Sequence, residues 1–356
     1  MANRFVELLR EREWLLADGA TGTNLFAMGL MTGDAPELWN TEYPERVLTL
    51  HRQFIEAGSD IILTNTFGGT RFRLKLHRAQ ERVQELSHAA ARIARYAADS
   101  ADRPVVVAGC VGPTGELFAP LGGLDRDACE SAFAEQASAL AEGGADVIWI
   151  ETLSARDELE AAVAGAARTG LPIVCTLSFD TNGSTMMGLA PGDLAQVCAA
   201  LPTAPAAFGT NCGVGAAEVV ACILTMAETA PPGTVLVAKA NCGVPEYVDG
   251  TLRYAGTPEL MADYARLARD AGARVIGGCC GTTPGHIRAM SSALETHVPG
   301  RAPDVATVVE RLGGVSRGAE ARCLGHMHYA AGADARRRAS RRARRGAAET
   351  PPRGAV

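Results

Sequence analysis

The chain has 356 residues, 47% of them hydrophobic, and a formal net charge of −6. That is ample for a sizeable core, yet no apolar run is long enough to span a bilayer, and Met1-Ala-Asn-Arg lacks a signal-peptide pattern. Ten cysteines, many inside apolar segments, read as reduced thiols rather than a secreted disulfide framework, so a cytoplasmic protein with no membrane partner is expected.

The charge is unevenly placed. Residues 317–356 hold ten arginines, no lysine and three acids, a balance of +7, which leaves −13 for residues 1–316. An acidic body argues against a nucleic-acid substrate. The arginine-rich tail has little hydrophobic content and no periodicity, and reads as a disordered, solvated segment. Its competing reading is a basic arm on a zinc-stabilised binding protein, which would bind nucleic acid with a steep salt dependence.

From the N-terminus onward, short apolar runs of β type alternate with alanine-rich stretches. The runs fall at 14–18, 60–65, 104–108, 146–150, 172–177, 206–210, 234–238 and 273–277. Each is continuously apolar rather than alternating, as in a parallel sheet buried on both faces. The stretches between them leave room for crossover helices. They carry helical spacing (Val47, Leu50, Phe54, Ile55) or helix-start signals (Asp125; Thr257-Pro-Glu). Eight strands with eight helical connections predict a single-domain (β/α)₈ TIM barrel over residues 1–316, followed by the tail at 317–356. An open doubly wound sheet would carry one phosphate-binding turn after its first strand. Here nearly every run ends in a polar or glycine-rich motif, and a barrel gathers all such ends on one face.

Those ends are Asp18-Gly-Ala-Thr-Gly, Thr64-Asn-Thr-Phe-Gly-Gly, Cys110-Val-Gly-Pro-Thr-Gly-Glu, Glu151-Thr, Ser178-Phe, Asn211-Cys-Gly, Lys239-Ala-Asn-Cys-Gly and Cys279-Cys-Gly. They are rich in thiols, carboxylates and glycines and contain no histidine, which speaks against a Ser–His–Asp hydrolase. Neither a G-x-x-x-x-G-K nor a well-placed G-x-G-x-x-G is present. Cys279 and Cys280 are adjacent and could not bridge each other without strain. With Cys212 at another strand end they suggest a metal site, against the plainer reading of three buried thiols. Cys242 sits at a comparable strand end and would close the site as a fourth ligand; without it, a three-thiolate zinc keeps one position for a substrate. Such a centre carries a net charge of −1, is a weak Lewis acid and suits the alkylation of a substrate thiol. Lys239 at its strand end offers a different chemistry, a Schiff-base aldolase.

Asp18-Gly-Ala-Thr-Gly-Thr, Leu63-Thr-Asn-Thr-Phe-Gly, Gly112-Pro-Thr-Gly-Glu, Ile150-Glu-Thr, Gly209-Thr-Asn-Cys and Gly277-Gly-Cys-Cys-Gly-Thr-Thr-Pro together resemble the homocysteine S-methyltransferase family. That family includes betaine–homocysteine methyltransferases and the homocysteine-binding module of cobalamin-dependent methionine synthase. The resemblance runs from about residue 12 to residue 295. It implies a zinc ion on Cys212, Cys279 and Cys280 that receives the homocysteine thiolate, with Asn241 as the resting fourth ligand. Cys242 stands where that module has alanine, which discounts it as a ligand. Asp18 and Glu151 match the carboxylates that hold the homocysteine amino group, and the backbone at Gly19 and Ala20 would approach the amino-acid end.

The donor implied is a small onium compound, betaine first, with Phe67 as the aromatic that would face it. Gly68 stands where animal betaine enzymes carry a further aromatic. S-methylmethionine, a dimethylsulfonium compound or a separate methyl-corrinoid protein are the alternatives. The expected partners are L-homocysteine and that donor; self-association is left open.

Overall fold

A computed structural model describes residues 3–248 and 251–326 of the chain. Eight strands form one parallel sheet: β1 (Leu15–Leu16), β2 (Ile61–Leu63), β3 (Val106–Val111), β4 (Val147–Leu153), β5 (Ile173–Leu177), β6 (Ala207–Cys212), β7 (Leu236–Ala240) and β10 (Ala273–Gly278). Between β7 and β10 lies an antiparallel hairpin of β8 (Pro245–Val248) and β9 (Thr251–Tyr254). The parallel strands neighbour one another in the order β1-β10-β7-β6-β5-β4-β3-β2. A parallel bridge between Ala17 and Ile61 joins the two ends and closes the barrel.

Seven helices return the chain between strands, Pro44–Glu56, Val83–Asp99, Arg126–Glu142, Arg156–Ala167, Pro191–Ala199, Ala216–Thr229 and Pro258–Asp270, and an eighth, Pro284–Glu295, follows β10. The sequence signals for two of their starts are realised. Asp125 accepts from the Ala128 N–H at 2.8 Å and Thr257 from the Leu260 N–H at 3.2 Å, each meeting a donor with no partner inside its helix.

The continuous apolar runs are explained by two separate cores. Ile61, Leu63, Val106, Ala108, Val147 and Trp149 belong to a cluster inside the barrel. Ile62, Val107, Ile148 and Ile150, the residues that alternate with them, pack outward against the helices. A strand with apolar partners on both faces shows no period of two. Phe5 and Leu8 of the first helix, Arg4–Glu11, are buried in the inner cluster at its N-terminal end. Gly209 shows how close the strands lie on the functional side, since a Cβ there would overlap the Val237 carbonyl.

Two features differ from the sequence reading. The hairpin was not expected. Arg317–Cys323, assigned by sequence to the tail, is a helix capped by Ser316, whose N–H and hydroxyl both donate to Glu218 (2.8 and 2.6 Å). The Gly318 N–H donates to Asn182 Oδ1 at 2.8 Å, so this segment packs on the barrel. The rest of the expected tail, residues 327–356, lies outside the described residues. Among the described residues no helix is long and apolar enough to cross a membrane.

His51 takes a core position on Pro44–Glu56 beside Val47, Leu50 and Phe54, and neither ring nitrogen has a hydrogen-bond partner. Burial lowers its pKa from 6.5 to about 4. The unfolded chain therefore takes up a proton that the folded chain refuses, and stability falls as pH drops from about 6.5 towards 4. The expected loss is up to ~3 kcal/mol. Urea unfolding of wild type and His51→Leu at pH 7 and pH 4.5 checks this: the variant should lack that component of the acid loss.

Candidate active site

Strand register brings the three cysteines together. Ala240 of β7 pairs with Cys212 of β6 on one side and with Gly278 of β10 on the other, so Cys212 and Cys279 leave their strands at nearly one level. The Cys279 N–H donates to the Ala240 carbonyl at 2.7 Å, extending the ladder by one residue. Cys212 has φ 63 and Gly213 φ 71, a left-handed turn that only glycine adopts at low cost. The next residue on β7's side, Asn241, ties the two loops: its Oδ1 accepts from the Cys280 N–H (3.0 Å) and its Nδ2 donates to the Gly213 carbonyl (2.7 Å).

The sulfurs of Cys212, Cys279 and Cys280 lie within 4.8 Å of one another, each residue part-exposed. Zinc–sulfur bonds of 2.3 Å at tetrahedral angles put sulfurs about 3.8 Å apart, so the donor set fits zinc after about 1 Å of side-chain adjustment. No fourth Cys, His, Asp or Glu joins the group among the described residues. Cys242 points elsewhere: its thiol donates to the Gly256 carbonyl at 3.2 Å and lies 3.2 Å from His286 Nε2. Two further groups adjoin the sulfurs. Asn211 Nδ2 lies 3.8 Å from Cys279 Sγ, and the Tyr254 ring covers Gly281, where a Cβ would overlap it. Contacts among the three thiols together with burial push Cys212 and Cys280 up to about 12, and Cys279 is pushed up as well.

The carboxylates lie deeper. Asp18, just past β1, accepts from the Leu63 N–H at 2.8 Å with one oxygen and from Lys239 Nζ at 3.3 Å with the other. The two side chains are only 1% and 3% exposed. Burial pushes Asp18 up to about 6 against the pull of Lys239. For Lys239 the opposing effect of burial is outweighed by Asp18 and Glu151, and its pKa is raised. The ion pair favours the protonated ammonium, which is not the nucleophilic form a Schiff base needs. Removing one partner of such a buried pair typically costs about 3–5 kcal/mol. Glu151 accepts from the Cys110 thiol at 3.1 Å through Oε1, while its buried Oε2 has no partner.

A model of the family described as homocysteine S-methyltransferase matches residues 15–294, which span every barrel strand and both cysteine loops. The chain belongs to the homocysteine S-methyltransferase family. It is 32% identical over 297 residues to methionine synthase from Mycobacterium tuberculosis (strain ATCC 25618 / H37Rv), covering 79% of this chain and 24% of that protein. It is 30% identical over 315 residues to methionine synthase from Mycobacterium leprae (strain TN), covering 84% and 26%. The chain thus spans about a quarter of these relatives' length. Among solved structures it resembles the metallated form of the homocysteine methyltransferase MmuM from Escherichia coli, with a TM-score of 0.67 and 26% identity over 82% of this chain and 99% of that one.

In this family member the remaining positions singled out by sequence fall as follows. Gly19 has no room for a side chain, because a Cβ would come within 2.6 Å of the Thr282 carbonyl. The Ala20 N–H donates to that same carbonyl at 3.1 Å, so it is already engaged. Phe67 is 37% exposed and its ring lies over Gly112. Of the other aromatics near strand ends, Trp149 is fully buried in the lumen beneath Lys239, whose Nζ lies 5.4 Å from its ring centroid, and Phe118 packs on the outer core. Gly68 donates its N–H to Glu37 Oε1, and a Cβ there would meet that oxygen at 2.9 Å.

Sequence reasoning missed the Lys239–Asp18 pair, the Cys110–Glu151 contact, Asn211 and Tyr254. Asn211 also accepts from the Thr152 N–H (2.9 Å) and donates to Thr152 Oγ1 (2.7 Å), holding Thr152 at φ 64, an unusual value for a β-branched residue. The hairpin that carries Tyr254 did have a signal: Asp249-Gly250 flanked by Tyr247-Val248 and Thr251-Leu252.

Because the metal-free thiols hold their protons well above neutrality, acid favours the metal-free state. Chelator competition should show zinc affinity dropping by more than about tenfold per pH unit between pH 8 and pH 6. Cys212→Ala, Cys279→Ala and Cys280→Ala should each reduce bound zinc from one per chain to near none; a variant retaining a full equivalent would rule that cysteine out.

Proposed function

We propose that this protein methylates the sulfur of L-homocysteine, giving methionine, with zinc on Cys212, Cys279 and Cys280 and a small onium donor, betaine first. The observation that carries the reading is the three-sulfur group with no fourth protein ligand of its kind among the described residues. Zinc bound there would supply a site of low Lewis acidity that keeps the substrate sulfur deprotonated at neutral pH.

The chain's own residues do the rest. Glu151 Oε2, buried and unpartnered, accepts from the substrate ammonium, and Asp18 adds its negative field from the floor of the same pocket. Asn241 holds the two cysteine loops at their separation and is the group nearest in kind to a resting fourth ligand. Phe67 presents the open aromatic face for the donor's cationic head. In the transfer, the sulfur lone pair forms a bond to the methyl carbon as the methyl–nitrogen bond breaks. Its electron pair stays on nitrogen, so betaine leaves as dimethylglycine. No proton moves to or from sulfur in that step, and no histidine base is required.

A sulfonium donor is the second reading. Phe67 is a single aromatic face, and Glu37 occupies the space a second aromatic at position 68 would need. That suits a compact sulfonium head as well as a trimethylammonium. Likeness to MmuM and to methionine synthases supports homocysteine as acceptor under both readings.

A methyl-transfer assay on homocysteine with betaine, S-methylmethionine and dimethylsulfoniopropionate in parallel tests the proposal. Betaine should give methionine and dimethylglycine in equal amounts. Turnover with a sulfonium alone would transfer the assignment to the second reading, and none with any donor would remove both. Glu151→Gln should raise KM for homocysteine about 10–100-fold, the loss of one hydrogen bond to a charged group, with a smaller change in kcat.

A further inference from the structure

The loops after β2 and β3 lie side by side at the mouth of the barrel. The Gly112 N–H donates to the Phe67 carbonyl at 3.1 Å, and Thr66 Oγ1 donates to the Cys110 carbonyl at 2.7 Å. The second loop is fixed further by Thr114, whose N–H and hydroxyl both donate to buried Glu158 (2.9 and 2.7 Å). Two glycines of this loop each have a side chain from the β2 side laid against them. A Cβ on Gly112 would come within 2.7 Å of the Phe67 ring, and one on Gly115 within 3.2 Å of Arg73 Cδ and Nη1. The Cα atoms of those glycines are at most about 11 Å apart, so an aromatic face and a guanidinium border one short stretch of the mouth.

The short helix Arg71–Leu74 carries two arginines that are used differently. Arg71 makes two parallel bonds to Glu135 (2.9 and 2.8 Å). Arg73 is half-buried, and among the described residues its guanidinium has neither an ion pair nor a hydrogen bond. The carboxylate it influences is Glu37, whose Oε1 accepts from the Gly68 N–H at 2.6 Å. Burial pushes the Glu37 carboxyl up, opposed by that hydrogen bond and by the positive fields of His77 and Arg73. Arg73 thus acts on Glu37 without touching it, and its planar fork of N–H donors stays open.

We infer that Arg73 is a specificity-determining residue that takes the carboxylate of the methyl donor while Phe67 meets its cationic head, so that the donor class is an onium carboxylate. The inference rests on the donor site proposed at Phe67 and names the chemistry that fits it. A cation is held within about 6 Å of a ring centroid, and a guanidinium matches a carboxylate through two parallel N–H bonds. Betaine and dimethylsulfoniopropionate both carry the two charges at opposite ends of a short chain, with one and two methylenes between head and carboxylate. Either can bridge the ring and the guanidinium. A donor consisting of the head alone would satisfy Phe67 and leave Arg73 without a partner.

Tetramethylammonium, a head without a carboxylate, provides the comparison. Methyl transfer to homocysteine on the zinc-loaded protein gives KM for betaine and for dimethylsulfoniopropionate. Competition with whichever of them turns over gives the inhibition constant of tetramethylammonium. Arg73→Met should raise the donor KM about 10–100-fold, the loss of a charge-assisted pair, and leave the tetramethylammonium constant within about twofold of wild type. Zinc content and KM for homocysteine should not change, which shows that the variant is folded. An unchanged donor KM would overturn the inference. Equal weakening of donor and tetramethylammonium would overturn it too, since Arg73 would then shape the pocket without reading the carboxylate.

Glu37→Gln/Arg73→Met tests the plainest rival, that the arginine only balances a buried carboxyl. The double variant should stay as impaired as Arg73→Met, and a return to the wild-type donor KM would sink the inference. The two levels separate cleanly. Turnover of either donor with no response to Arg73→Met keeps the methyltransferase reading and removes only the role of Arg73. No turnover with any donor removes both.

Discussion

Three neighbouring strands held in register govern everything at the mouth of this barrel. Ala240 of β7 faces Cys212 on one side and Gly278 on the other, so the ladder itself delivers two thiol-bearing loops to one level. Backbone hydrogen bonds fix that level more firmly than side-chain packing could, because a slip of one residue would turn every lumen-facing side chain outward. Gly209 and Gly278, where a Cβ would overlap a neighbouring chain carbonyl or the Thr282 side chain, belong to the same requirement for close approach. The sulfur site is thus a property of sheet geometry first and of cysteine chemistry second.

The charged layer below the sulfurs is joined to them through one side chain. Asn211 fixes the Thr152 peptide, immediately after Glu151, and places its remaining N–H toward Cys279. The carboxylate that would meet the amino group and the thiol that would hold the metal therefore share a support. A shift in one strand end must be felt at the other, which would keep a substrate anchored at both points to a single pose. The left-handed conformations of Thr152 and Cys212 lie on either side of Asn211, and unfavourable backbone of this kind persists where the surroundings over-determine it.

Much of this was legible in the sequence because it depends on local pattern. The apolar runs located all eight barrel strands, and their continuity reported two cores, one inside the lumen and one beneath the helices. The paired cysteines, with Cys212 at a separate strand end, marked the sulfur group, and the observed register brings them together. Pairings across the lumen were not legible. Lys239 and Asp18 are 221 residues apart, and nothing in either neighbourhood names its partner. Lys239 at a strand end suggested a nucleophile, and only the structure shows it paired with a buried carboxylate. The hairpin before β10 was overlooked because attention to long apolar runs passes over a short polar β segment, although the sequence Asp249-Gly250 is itself a hairpin signal. The helix Arg317–Cys323 was hidden by composition: arginines suggested solvent, while its attachment depends on Ser316 and Gly318 meeting Glu218 and Asn182.

The amide of Asn241 fastens the two cysteine loops through the Cys280 N–H and the Gly213 carbonyl, neither of which is a sulfur. The spacing of the two loops is therefore set by hydrogen bonds that do not involve the sulfurs. A metal ion held there, as proposed, would surrender little of its affinity to ordering flexible loops. Its capture would then be mainly an exchange of protons for metal, with a small movement of the side chains and little of the backbone.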